Sequence, residues 1–222
     1  MKVSETFLSI QGEGPMQGRP AFFIRLAGCN LTCKFCDTKY AQRTVQDEAD
    51  IAEIRDEMLA LAQANGPDFM FVITGGEPLV QQADVELLLG TYRSRGFRVA
   101  NAWIETNGTI VPSRTLTERY RVHLVTSPKK GHVNHEALKA LSEREAHFKF
   151  VIDEKESWPF EEALSLAKTL GVPNERIWMQ PMAQERKNMI ARSQGLWRMC
   201  AAAGVNLSVR ANIWVHGKNL GV

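Results

Sequence analysis

The sequence predicts an α/β fold in which parallel strands joined by helical crossovers form a partial, open barrel. Three observations carry that reading. Strand-like apolar runs alternate with segments of helical periodicity along the chain. The 222 residues fall short of the roughly 250 that a closed eight-unit barrel takes. The chemically suggestive residues follow the ends of the strand runs, where α/β folds place their active sites.

The first run is AFFIRLAG (21–28). After it, in ADIAEIRDEMLALAQA (49–64), Ile51, Ile54, Met58 and Leu61 recur three or four apart and make one apolar helix face. FMFVITGG (69–76) leads into the helical segment VQQADVELLLGTYRSRG. VANAWIET (99–106), VHLVTSP (122–128) and HFKFVID (147–153) follow, the last before the helical WPFEEALSLAKTLG. RIWMQPM (176–182) precedes ARSQGLWRMCAAAG, and VNLSVRANI (205–213) is the final run. Gly96, Gly171 and Gly204 stand where glycines end helices. This alternation implies parallel pairing and right-handed crossovers in six or seven units. A doubly wound sheet satisfies the same periodicity. Residues 1–222 are enough for one good-sized core, so a single domain is expected.

Hydrophobic residues make up 44% and charged residues 23%, ordinary for a globular chain. The net charge of +2, from 27 basic and 25 acidic side chains, gives no electrostatic case for nucleic acid or an anionic membrane as main partner. A small acidic metabolite could still meet a local basic pocket. The start, MKVSETFLSIQGEG, meets Glu5 almost at once, unlike a targeting segment, and no apolar window approaches a membrane span. Four cysteines, three of them clustered, point to a reducing cytoplasm and to metal binding or catalysis.

The cluster lies in GCNLTCKFCDTKY (28–40), as Cys29, Cys33 and Cys36. Thiolates bind zinc or iron–sulfur clusters, and they make magnesium or calcium implausible at these three side chains. A structural zinc site takes four protein ligands, and a [4Fe–4S] cluster is usually held by four cysteines. With three, one iron keeps an open position for chemistry. The alternative is a zinc knuckle completed by Cys200 or one of the five histidines. Cys200, in MCAAAG, falls on an apolar helix face where a lone cysteine is a small buried hydrophobe.

The spacing Cys29-x-x-x-Cys33-x-x-Cys36, with Phe35 before the last cysteine, joins ITGGEP (73–78) in a pattern that resembles the radical S-adenosylmethionine (SAM) enzymes. The resemblance implies a partial (β/α)6-like barrel holding a [4Fe–4S] cluster whose open iron binds SAM, with a 5′-deoxyadenosyl radical formed by cleavage of the sulfonium. Gly75 and Gly76, lacking Cβ atoms, let backbone groups approach a ligand closely. Their plainer reading is a strand-to-helix turn with Pro78 in the first helical turn.

Four further segments narrow the resemblance: SIQGEGPMQGRPAFFIRLAGCN, CDT (36–38), SPK (127–129) and QPM (180–182). Together they resemble the 7-carboxy-7-deazaguanine synthase family of deazapurine and queuosine biosynthesis. That resemblance implies ring contraction of 6-carboxy-5,6,7,8-tetrahydropterin with loss of ammonia, and regeneration of SAM. It implies substrate contacts at Ile10, Gln11, Gly12, Arg25 and Thr74, and Mg2+ at Thr38 beside the substrate carboxylate. SAM contacts are implied at Phe35, Cys36, Asp37, Gly76, Glu77 and Glu105, at Ser127, Pro128 and Lys129, and at Gln180, Pro181, Met182 and Ala183.

Plainer readings stand beside these. Asp37 or Thr38 could cap a following helix, and Arg25 could snorkel at a sheet edge. Lys129-Lys130 could be an exposed basic loop, and Glu105 a rim carboxylate paired with a lysine. A reductant protein such as a flavodoxin and a homodimer are implied as partners. The rival readings are a glycyl-radical-enzyme activating protein, a family member acting on a different small acidic heterocycle, and a zinc-stabilised binding module. The family usually carries a glutamine and a histidine–lysine pair near the C-terminus. This chain instead runs Leu207-Ser208-Val209-Arg210-Ala211-Asn212-Ile213 and on to Gly221-Val222. Arg210 either compensates for that departure or selects a different acidic substrate.

Overall fold

Strand β2 (Pro20–Leu26) buries Ala21, Phe22, Phe23, Ile24 and Leu26, and strand β3 (Met70–Gly75) buries every residue but the last. Burial that runs on without alternation marks strands covered on both faces, the signature of a parallel sheet flanked by helices. The computed structural model of the chain describes residues 1–43, 48–66, 68–96, 99 and 101–217. These form two compact units: Met1–Ser9, Pro20–Thr106 and Pro112–Leu124 in the first; Ile10–Arg19, Asn107–Val111 and Val125–Val222 in the second.

In the first unit, β1 (Val3–Ile10) as far as Ser9, β2, β3 and β4 (Ala102–Thr106) follow one another in chain order. β2 and β3 run parallel with Arg25 opposite Thr74 and Leu26 opposite Gly75, and β3 runs parallel to β4 with Ile73 opposite Ile104. Helix α1 (Lys39–Gln42) is one short turn. Helix α2 (Ile51–Asn65) starts at Asp50, whose carboxylate accepts from Ala52 N–H at 2.7 Å, and buries Ile54, Met58 and Ala62. A 3-10 turn at Pro78–Gln81 leads into α3 (Gln82–Ser94), which buries Val85, Leu88, Leu89 and Tyr92.

The second unit takes β5 (His123–Thr126) from Val125 onward, β6 (His147–Ile152), β7 (Ile177–Pro181) and β8 (Asn206–Leu207), again in chain order and parallel. Helices α4 (His135–Glu143), α5 (Phe160–Thr169), α6 (Arg186–Ala203) and α7 (Ala211–His216) accompany them. Both units are α/β, as the sequence reading expects. Gly96, Gly171 and Gly204 all take positive φ just past their helices, as expected of glycine terminators. No helix among the described residues is long and apolar enough to cross a membrane.

Two features depart from the sequence reading. Strand β1 has no fully buried side chain, so its VSETFLSI carries no apolar run to mark it. The run at 205–213 is a two-residue strand followed by helix α7, because Ser208 and Arg210 turn buried polar side chains into the unit and end the pairing. In the run at 99–106, Ala100 lies outside the described residues, as do residues 218–222, including Gly221 and Val222.

Candidate active site

Cys29, Cys33 and Cys36 lie in the loop after β2, all half-buried. The loop turns through Cys36 N–H to Cys33 O at 3.2 Å, and Leu31 N–H donates to Cys29 Sγ at 3.4 Å. Burial pushes the Cys29 thiol up, and the charges of Glu77, Cys33 and Cys36 add to the rise against the Leu31 bond. A coordinated metal reverses that balance by holding the thiolate. Among the described residues, no three Cys, His, Asp or Glu side chains stand ready-made to hold a metal ion. The fit therefore rests on donor chemistry: three soft thiol ligands on one partly exposed loop suit an iron–sulfur cluster. Cys200 is 3% exposed in α6, its thiol pushed up to about 11 by burial, and it packs as an apolar side chain.

The turn after β3 bears directly on this loop. A Cβ on Gly75 would stand 2.2 Å from Leu26 O, and one on Gly76 would stand 1.9 Å from Gly28 O and 2.8 Å from Ala41 O. Gly76 N–H donates to Leu26 O at 3.0 Å, and Glu77 N–H to Gly28 O at 2.9 Å. The close approach that these glycines make is to the backbone leading into the cysteines, rather than to a ligand. Glu77 is fully buried; its Oε1 accepts from Leu79 N–H at 2.9 Å and from Thr106 Oγ1 at 2.8 Å, which caps the 3-10 turn begun by Pro78.

The other expected residues of the first unit lie on its strands or in the cysteine loop. Thr74, on β3, donates from Oγ1 to Glu105 Oε2 on β4 at 3.0 Å. Arg25, on β2, donates from Nε to Glu5 Oε1 at 2.7 Å and lies over the Phe7 ring at 5.4 Å. Tyr40 donates to the same Glu5 oxygen at 2.7 Å, and its phenol is pushed up to about 12 by burial and that bond. Arg25 is therefore a paired strand residue, with its Nη groups making no hydrogen bond among the described residues. Thr38 occupies the N-cap position of α1 yet makes no capping bond; its hydroxyl lies 3.7 Å from Cys36 Sγ. Phe35 is half-buried and Asp37 exposed.

The second unit holds the remaining expected residues. Ile10 is exposed, whereas Gln11 is buried, its N–H on Arg19 O at 2.8 Å and its Oε1 accepting from Glu13 N–H at 3.2 Å. Gly12 O accepts from Ala211 N–H at 2.9 Å. Lys129 donates to Ser127 Oγ at 2.7 Å, and Pro128 O accepts from Trp158 Nε1 at 2.8 Å. The exposed basic residue of that loop is Lys130, which pairs with Glu162 at 2.8 Å. Gln180 and Pro181 are buried at the end of β7, and Met182 N–H continues onto Ile152 O at 3.1 Å. Met182 O accepts from Arg192, and Ala183 O from Arg210 at 3.0 Å.

Sequence reasoning passed over a buried ion cluster here. Glu13 accepts from Lys149 Nζ at 2.5 Å and from Arg210 Nε at 2.7 Å. Burial alone would raise the Glu13 carboxyl, but the two cations outweigh it and hold the group well below the usual carboxylate range. The available signal was Lys149, a cation flanked by Phe148 and Phe150 inside an apolar strand. Arg210, left open between two roles by its sequence position, is 8% exposed and bound to Glu13 and Ala183 O.

The profile of the Radical SAM superfamily matches residues 23–177. The 7-carboxy-7-deazaguanine synthase of Hyperthermus butylicus is 36% identical over 199 residues, covering 85% of this chain and 80% of its own length. That of Pyrobaculum aerophilum is 32% identical over 226 residues, covering 100% of this chain and 97% of its own. Among solved structures, QueE from Escherichia coli aligns with a TM-score of 0.64 at 24% identity, over 94% of this chain and 93% of that one, a likeness of fold.

Proposed function

The chain belongs to the radical SAM superfamily and, within it, to the 7-carboxy-7-deazaguanine synthase family; on that premise we propose that it converts 6-carboxy-5,6,7,8-tetrahydropterin to 7-carboxy-7-deazaguanine with loss of ammonia. The observation that carries the reading is the three-cysteine loop gripped from behind by the Gly75–Gly76 turn. When bound, a [4Fe–4S] cluster and SAM supply a 5′-deoxyadenosyl radical able to take a hydrogen atom from substrate.

The chain's own residues then bind and orient. Cys29, Cys33 and Cys36 are the cluster ligands. Phe35, Cys36, Asp37, Gly76 and Glu105 are assigned to SAM, with Glu77 acting through the turn it caps. Ser127–Lys129 and Gln180–Ala183 are likewise assigned to SAM. Arg25 is assigned to the substrate carboxylate: Glu5 and Phe7 fix the guanidinium and leave its Nη fork for a second carboxylate. Thr74, Ile10, Gln11 and Gly12 complete the substrate contacts. Mg2+, largely hydrated, is assigned to Thr38, whose hydroxyl is not spent on capping α1. A cytoplasmic homodimer reduced by a protein such as a flavodoxin fits the reading.

The test is anaerobic reconstitution, analysis of iron and sulfide, then addition of reductant, SAM, Mg2+ and the carboxytetrahydropterin. The expected result is one four-iron cluster per chain and a deazaguanine carboxylate product. Stoichiometric zinc without iron refutes the enzyme reading. SAM cleavage that leaves the pterin untouched refutes the substrate assignment.

A further inference from the structure

The five residues 208–212 touch the Gln11–Gly14 turn at three successive positions. Gly14 N–H donates to Ser208 Oγ at 2.9 Å, Arg210 Nε donates to Glu13 Oε1 at 2.7 Å, and Ala211 N–H donates to Gly12 O at 2.9 Å. Asn212 adds a steric stop: a Cβ at Gly12 would stand 2.8 Å from Asn212 Oδ1. The same segment also grips the end of β7. Ser208 N–H donates to Met179 O at 2.9 Å, Ser208 Oγ donates to Gln180 Oε1 at 3.0 Å, and Arg210 Nη1 donates to Ala183 O at 3.0 Å. Ser208 and Arg210 each hold one partner on either side. Both residues are nearly inaccessible, at 0% and 8% exposure.

A buried serine hydroxyl that donates once and accepts once has its only donor committed, and both partners together hold it in one rotamer. A guanidinium divides its donors along a rigid fork, so the bond to Glu13 and the bond to Ala183 O fix each other's direction. Lys149 balances the second Glu13 oxygen, so removing Arg210 leaves the carboxylate one cation rather than none.

We propose that Ser208 and Arg210 are positioning residues that tie the Gln11–Gly14 turn to the Gln180–Ala183 segment, so that the surface assigned to substrate and a surface assigned to SAM move as one piece. The proposal rests on the functional reading above for what those two surfaces bind. The tie itself stands on the hydrogen bonds alone. Arg210 accordingly acts through Glu13 and Ala183 and does not itself grip an acidic substrate.

Hydrogen exchange and steady-state kinetics on the reconstituted full chain, with Ser208→Ala, Arg210→Met and Arg210→Lys, test it. In both Ser208→Ala and Arg210→Met, peptides covering 11–19 and 180–185 are expected to exchange about fivefold or more faster together, the effect of losing one net hydrogen bond at each surface. The pterin KM and the SAM dissociation constant are expected to rise together by about tenfold, with kcat within about threefold of wild type. Arg210→Lys, which keeps the charge on Glu13 without the fork, should recover the 11–19 peptide and not the 180–185 peptide. Faster exchange in only one peptide for both Ser208→Ala and Arg210→Met overturns the tie. So does a lowered melting temperature with both binding constants unchanged. If wild-type protein never turns over the pterin, the substrate reading fails, whereas the paired exchange result still decides the tie.

Discussion

Replacing Gly76 by alanine tests how the cysteine loop is held. The new methyl would stand 1.9 Å from Gly28 O, 2.5 Å from Gly28 C and 2.8 Å from Ala41 O. All three are backbone atoms, so no side chain can swing away to make room. Reaching even a tight 3.0 Å contact parts the two backbones by about 1.1 Å. That movement breaks the 2.9 Å bond from Glu77 N–H to Gly28 O, which lies one residue from Cys29. Overpacking costs about 1–3 kcal/mol and the lost hydrogen bond about 1 kcal/mol, together roughly 2–4 kcal/mol. For a chain of this size that lowers the melting temperature by roughly 4–16 °C. Thermal unfolding followed by circular dichroism measures the loss, and iron per chain after reconstitution should fall with it. Gly195→Ala is the control, because a Cβ there meets nothing within 4 Å in the middle of α6 and should stabilise by about 0.5–1 kcal/mol. A Gly76→Ala protein with wild-type melting and full iron refutes the claim that this close approach is built into the fold.

Three further outcomes are expected. Glu13→Gln removes the counter-charge facing two buried cations and should cost about 3–5 kcal/mol in urea unfolding at pH 7. Because the folded Glu13 carboxyl is depressed, its stabilisation is complete above the ordinary value of 4.5 and is lost as pH falls through the folded value; the wild-type-to-variant gap should hold from pH 7 to about 5 and narrow in stronger acid. Cys33→Ala should lose the cluster in iron and sulfide analysis, whereas Cys200→Ala should keep it and lose about 1 kcal/mol of stability; loss of iron on changing Cys200 would contradict the ligand assignment. Glu77→Ala leaves the Leu79 N–H and the Thr106 hydroxyl without their buried acceptor, so it should cost about 2–4 kcal/mol by denaturant titration.

The cysteine spacing, the paired glycines and the alternation of apolar runs with helical periodicity were legible in the chain because each is a local pattern. An apolar run such as FMFVITGG declares a strand buried on both faces wherever it packs. Strand β1 escaped because an edge strand with partly exposed side chains need not keep an apolar rhythm. The run at 205–213 misled because apolar content there masks two buried polar residues, Ser208 and Arg210, whose partners lie 27 to 197 positions away.

Local sequence by itself determined the fold class, the soft-donor loop and the residue types at each strand end, since backbone preference and ligand chemistry depend on a residue and its near neighbours. Only the tertiary structure decided that Gly76 meets backbone at Gly28, that Arg25 is fixed by Glu5, and that Arg210 answers to Glu13 and Ala183. Those pairings join residues 20 to 197 positions apart. Charge and hydrogen-bond partnership across such spans follows from packing, which no short stretch of chain encodes.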